Sequence, residues 1–191
     1  HASFDESYGE LKYKIYMYDD ELEMIKQIFK MINTLKRDFV LIWNLSFDIP
    51  YFMDRLTYLG KDPIDYMCSP DFKYKYCWFR KDRRNFDFKT KKDVFRLASY
   101  SIFSDQMINY AKVRKGQSEL ASMKLNSIAQ SELGDEKLDY TDEANIKTLP
   151  YVNYRKFVLY NIKDVLLQLG IERKTKDLEA NVTEFLAGIY G

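Results

Sequence analysis

Two carboxylates and a phenol stand where chemistry is possible in this sequence. Asp48 lies in Asn44-Leu45-Ser46-Phe47-Asp48-Ile49-Pro50-Tyr51-Phe52, directly after the apolar run FVLIW at 39–43. If that run is a strand, Asp48 sits at its C-terminal end, facing the crevice where α/β sheets bind ligands. A helix N-terminus at the same place favours negative charge. Taken alone, such an aspartate is most simply a helix cap. The second constellation is Tyr160-Asn161-Ile162-Lys163-Asp164, in which Tyr160 and Asp164 are four apart and share one helix face. A phenol beside a carboxylate can orient a water held by a metal that the carboxylate binds. Taken alone, the pair also reads as a partly buried, hydrogen-bonded tyrosine next to an aspartate paired with a lysine. The single histidine is His1, at the chain start. That sets aside serine triads, cysteine–histidine pairs and histidine-ligated zinc inside the fold. Carboxylates and bound cations must carry any chemistry.

The elements that would position these groups alternate between strand and helix. Leu11–Tyr18 alternates charged with apolar or aromatic residues and is predicted as a strand. Asp20 with Glu23 three residues on suggests a capping box, followed by Ile25, Ile28, Phe29, Ile32 and Leu35 at helical spacing. FVLIW is predicted as a fully buried central strand. A helix is expected after Asp48, with Pro50 in its first turn. A β-hairpin follows, with its turn near Asp82–Asn85. Phe95–Phe103 reads as one further strand ending near Asp105. Gln106–Val113 is expected to be helical, and Ser122 to start a short helix over Leu125–Leu133 that Gly134 stops. Residues 135–150 read as a polar connection. Tyr154–Leu169 is a strong, buried helix, and 171–190 reads as more helix. The pattern predicts one α/β domain over 1–191.

Composition narrows the partners. No apolar run approaches the ~20 residues of a membrane span, and 1–12 lacks the apolar stretch of a signal peptide. Cys68 and Cys77 have no metal-ligand spacing and are too few for a disulfide framework, which suits a reduced, cytoplasmic setting. Net charge is +1, so the whole molecule is not a basic glove for nucleic acid, but residues 72–96 (FKYKYCWFRKDRRNFDFKTKKDVFR) interleave cations with aromatics. Phosphates want cations and unstacked bases want aromatic faces. Lys73, Lys75, Arg80, Arg83 and Arg84 are the candidate DNA contacts. A solvated hairpin with half-buried aromatics on one side accounts for the same stretch.

Together and in order, the motifs resemble a known family. N-x-x-F-D-x-P-Y after an apolar strand, then Y-x-x-x-D about a hundred residues on, resembles the Exo II and Exo III motifs of family B DNA polymerases. Asp20-Glu21-Leu22-Glu23-Met24 resembles the D-E-x-E-M that opens the helix before Exo II. Ser122–Ala129 resembles the family's S-y-x-L-x-x-v-A, and Leu133-Gly134-Asp135-Glu136-Lys137 its L-G-x-x-K. The resemblance runs from about Tyr16 to Leu169.

The resemblance implies a partial RNase H-like (DnaQ-like exonuclease) fold of α/β class, a central sheet flanked by helices with an inserted β-hairpin. It implies a 3′→5′ proofreading exonuclease of the tyrosine subclass, hydrolysing the terminal phosphodiester of single-stranded DNA with two divalent ions, Mg²⁺ or Mn²⁺. Asp48 and Asp164 would be metal ligands sharing one crevice, Tyr160 would orient the attacking water, and Asn44 and Phe47 would seat the 3′-terminal nucleotides. The partners implied are a single-stranded 3′ end and the remainder of a polymerase chain, in a phage-like or mobile-element replicase; no membrane is implied.

The sequence departs from the family at its first motif, a D-x-E strand well upstream of Exo II. Asp19-Asp20-Glu21 contains a formal D-x-E. It lies too close to Exo II for the intervening strands, and it coincides with the helix cap. The expectation is therefore a piece truncated before the first motif, with little activity as isolated. The competing expectation is a noncatalytic single-stranded nucleic-acid-binding module on a degenerate exonuclease fold.

Overall fold

A computed structural model describes residues 14–116, 122–136 and 146–190, with side chains to 183. The chain divides into two compact units, residues 14–115 and residues from 116 onward.

In the first unit, residues 14–18 run without strand pairing, which corrects the strand expected there; Leu11–Tyr13 lie outside the described residues. Helix α1 (Glu21–Leu35) opens where Asp20 Oδ1 accepts the Glu23 N–H at 2.7 Å. The Glu23 carboxylate does not close a reciprocal box; it accepts from Gln27 Nε2 at 2.6 Å. Ile25, Phe29 and Asn33, four apart, form the buried stripe, and Lys36 ends the helix in the left-handed region at φ 45°.

Strand β1 (Phe39–Ile42) follows and pairs in parallel with β4 (Ile102–Asp105), from Phe39↔Ile102 to Ile42↔Asp105. Parallel strands need a long crossover. Here it contains α2 (Leu45–Tyr58), α3 (Pro63–Met67) and an antiparallel hairpin of β2 (Cys77–Arg80) and β3 (Val94–Leu97). The hairpin is thus inserted between the two strands of the central pair. β1 is half-buried rather than fully buried, and Trp43 leaves it. Among the described residues it has one hydrogen-bonded neighbour, so one edge has no strand beside it.

The apolar run Phe95–Phe103 is not one strand. Its first part is β3, and its last residues begin β4 in a different sheet. Ala98, fully buried, is where the path turns. Its N–H donates to Tyr76 O at 2.9 Å and its carbonyl accepts from Ser69 at 2.8 Å. Ser99 Oγ then donates to Asn33 Oδ1 at 2.8 Å. The small side chain lets the backbone pass close to α1 and α3. The hairpin is also looser than a tight turn. Residues 81–93 connect its strands, with Asp82 accepting from the N–H groups of Arg84, Asn85 and Lys92.

The core of this unit gathers Ile25 and Phe29 from α1, Leu45, Ile49 and Leu56 from α2, Met67 from α3, and Phe95 and Leu97 from β3. Phe29 meets Phe52 edge-on at 5.7 Å, and Phe95 meets Phe103 at 5.2 Å. Each fully buried apolar side chain of this kind contributes ~1.5–3 kcal/mol. Helix α4 (Gln106–Val113) closes the unit.

In the second unit, α5 (Leu125–Leu133) ends at Gly134, φ 66°, where a side chain would be strained. Lys124, not Ser122, holds its cap position; Ser122 Oγ accepts the Lys124 N–H at 3.3 Å. The connection expected over 135–150 lies largely outside the described residues, and Leu149 begins the short helix α6 (Leu149–Val152). Helix α7 (Tyr154–Thr175) starts where Asn153 Oδ1 accepts the Lys156 N–H at 3.0 Å. It packs along α5, tied to it by Lys174–Glu132 at 3.5 Å, and Lys163 pairs with Asp135, just beyond α5, at 2.6 Å. It runs past Leu169 to a left-handed Lys176, after which α8 (Asp177–Tyr190) begins.

Candidate functional site

The Asn44–Asp48 motif is the switch from β1 into α2. Asn44 sits in the left-handed region, φ 68° and ψ 59°, which asparagine tolerates better than most residues. Its carbonyl accepts from Phe47 N at 2.9 Å, and its Oδ1 accepts from Ser46 Oγ at 3.0 Å. The helix therefore opens at Leu45, before Asp48, which lies in the first turn rather than at the cap. Pro50 accordingly falls in the second turn, where it cannot donate to Ser46 O.

The group that caps α2 comes from elsewhere. Asp105 ends β4 beside Ile42, and its Oδ2 accepts the Leu45 N–H at 2.9 Å. Its Oδ1 accepts the Ile108 N–H at 3.1 Å, capping α4. One buried carboxylate thus serves two helix N-termini. Burial pushes it up to about 6, against the lowering effect of backbone N–H groups at Ile108, Leu45, Asn44 and Met107. Sequence reasoning missed this role. The signal was present as an aspartate at the joint of an apolar strand and a helix.

Relieved of capping, Asp48 is half-buried, and burial raises its pKa, with no cation among the described residues offsetting it. A desolvated carboxylate without a counter-cation is a suitable ligand for a hard divalent ion. Phe47 beside it is 65% exposed, a ring turned to solvent. A cavity of about 100 Å³ opens nearby, lined by Leu45, Lys91, Asp93, Asp105, Asn109 and Lys112 among others. Asn44, Phe47 and Asp48 do not line it.

Tyr160 and Asp164 both fall within α7, one turn apart and half-buried, and Asp164 Oδ1 is a buried atom. Among the described residues, no three Asp, Glu, His or Cys side chains cluster as a metal site. The formal D-x-E at Asp19–Glu21 is not on a strand. Glu21 opens α1, and its carboxylate is forked onto Arg55 of α2, whose Nε donates at 2.8 Å.

The hairpin divides its aromatics between two faces. Phe79, Phe95 and Leu97 point inward, while Trp78 pairs with Arg96 on the outer face. Lys73, Lys75, Arg80, Arg83 and Arg84 are all exposed, as are Tyr74, Tyr76 and Phe86.

The sequence is similar to known proteins. Residues 2–128 match the family model for the DNA polymerase family B exonuclease domain, a range that includes the Asn44–Asp48 switch and ends before Tyr160. The chain is also 24% identical over 165 residues to a DNA polymerase of Orgyia pseudotsugata multicapsid polyhedrosis virus, covering 85% of this chain. It spans 16% of that relative's length. The helix-flanked parallel pair with its inserted hairpin is a partial RNase H-like fold of α/β class. The chain belongs to the family of family B DNA polymerase exonuclease domains.

Proposed function

We propose that this region is the 3′→5′ proofreading exonuclease of a DNA polymerase, hydrolysing the terminal phosphodiester of single-stranded DNA. The observation that carries the reading is Asp48. It is a half-buried carboxylate with no offsetting cation among the described residues, on the strand-to-helix switch of a chain that belongs to the exonuclease family. Asp48 and Asp164 hold divalent cations, Mg²⁺ or Mn²⁺, through carboxylate oxygens. When bound, these ions supply charge neutralisation at the phosphate and acidify the attacking water. The Tyr160 hydroxyl orients that water. Phe47 offers its exposed ring to the terminal base, and Asn44 helps seat the terminal nucleotides. Lys73, Lys75, Arg80, Arg83 and Arg84 neutralise phosphates of the strand. The remainder of the polymerase is the protein partner. Residues 1–191 alone carry two of the four carboxylates such a site uses, so alone they should release little nucleotide.

The outward cations and aromatics of the hairpin also favour a second reading, a noncatalytic module that binds single strands. Single-turnover rates on a short single-stranded DNA, measured in the full native chain with metal varied, separate the two. Asp48→Asn and Asp164→Asn should nearly abolish nucleotide release, with partial rescue by added metal. Tyr160→Phe should lose roughly 10- to 100-fold without responding to metal, as befits an orienting hydrogen bond. Full activity in Asp164→Asn would remove the Tyr160–Asp164 pair from the mechanism. Tight binding without metal-dependent release would favour the noncatalytic module.

A further inference from the structure

We infer that Asp105 is a positioning residue for the exonuclease reaction, acting by locking the Asn44–Asp48 switch to the end of β4. The inference rests on the exonuclease reading above and adds to it a residue outside the three motif positions.

The geometry makes Asp105 more than a local cap. It lies sixty positions from Leu45 in sequence yet opposite Ile42 in the β1–β4 register. Its two oxygens are divided between two helices, Oδ2 to Leu45 N at 2.9 Å and Oδ1 to Ile108 N at 3.1 Å. At 8% exposure it is largely buried, so losing either bond leaves a buried N–H short of its acceptor. The Leu45 bond falls on the residue that follows the left-handed Asn44 and precedes Asp48 by one helical turn. Leu45 itself is 2% exposed, so the backbone cannot shift there without disturbing the core. Asp105 thereby fixes where α2 begins, and so the direction from which Asp48 and Phe47 leave the sheet. A site that holds a cation tolerates little misplacement of its carboxylates.

The two duties can be separated. In Asp105→Ser the hydroxyl remains a good cap for its own helix at Ile108 but is too short to reach Leu45 across the strands. In Asp105→Asn the amide oxygen can keep the α4 cap, which turns its NH₂ toward the Leu45 N–H. Phe29→Leu, in α1, loosens the same core at the rings of Phe52 and Phe103 while leaving the Asp105–Leu45 hydrogen bond in place, and serves as the control for general stability. The full native chain is used throughout. Hydrogen exchange read by mass spectrometry follows peptides over 43–48 and 106–112, and single-turnover hydrolysis of single-stranded DNA is titrated with Mn²⁺.

Both Asp105 variants should speed exchange over 43–48 by tenfold or more and leave 106–112 within about threefold. They should raise the half-saturating Mn²⁺ by about tenfold, with most of the rate recovered at saturating metal. Phe29→Leu should leave the Mn²⁺ midpoint in place. Unchanged exchange over 43–48 in Asp105→Ser and Asp105→Asn overturns the inference. So does an equal midpoint shift in Phe29→Leu, which would make the effect one of general stability. If the unsubstituted chain hydrolyses nothing, the exonuclease reading fails, and the exchange data alone still decide whether Asp105 locks the switch.

Discussion

Raising the pH through 6 should loosen the 14–115 unit by an amount that Asp105 sets. Its carboxyl is pushed up from 3.8 to about 6 because it is buried at the junction of two helices. Between those values the folded protein holds a proton that the unfolded chain has released, so acid favours the fold. The contribution is fully present below the unfolded value near 3.8, falls as the pH rises, and is lost above about 6. At ~1.36 kcal/mol per unit, the whole effect is about 3 kcal/mol. Asp105→Asn removes the titrating group and keeps its shape. Both tryptophans, Trp43 and Trp78, lie in this unit, so their fluorescence during urea unfolding reports it specifically. The stability of the unsubstituted chain, measured relative to Asp105→Asn, should fall by roughly 2.4 kcal/mol between pH 4 and pH 7, since part of the effect is already lost at pH 4. Parallel pH profiles for the two chains would contradict this, because Asp105 is the one titrating group that the substitution removes.

Other outcomes follow from packing and exposure. Ile49→Ala opens a cavity at a fully buried position of α2 and should cost about 2–5 kcal/mol in urea unfolding; a cost under 1 kcal/mol, on the same scale, would mean the α2 core is misplaced. The Arg55–Glu21 fork is about a third exposed on each side, so Glu21→Gln should cost at most ~1 kcal/mol and less in high salt. Burial pushes the Cys77 thiol up to about 12, so iodoacetamide at pH 8 should label it far more slowly in the folded chain than in urea.

Much of the local structure is legible because it rests on neighbours in sequence. Asp20 caps α1 through Glu23 three residues away, and Gly134 stops α5 through its own φ. The FVLIW run and the motif after it correctly announce a strand that turns into a helix. The failures that matter most to the site are nonlocal. Nothing in the continuous pattern of Phe95–Phe103 marks Ala98 as the place where the chain changes sheets, since both halves look like strand. Asp48 reads as a cap because the true cap, Asp105, arrives from sixty positions away. The break between α7 and α8 falls on Lys176 in a left-handed conformation, while Gly170, the residue that invites a break, lies inside α7. Of the candidate site, residue types were readable from the motifs, whereas the half-burial of Asp48 required the fold.

As proposed, this region removes nucleotides one at a time from a 3′ end. The most direct measurement follows the native full-length chain with single-stranded DNA labelled at its 3′-terminal nucleotide, with and without Mg²⁺. Metal-dependent release of the labelled nucleoside 5′-monophosphate should precede any shorter internal fragment and be lost in Asp48→Asn. Release that ignores the metal, internal cutting, or full activity in Asp48→Asn would contradict it.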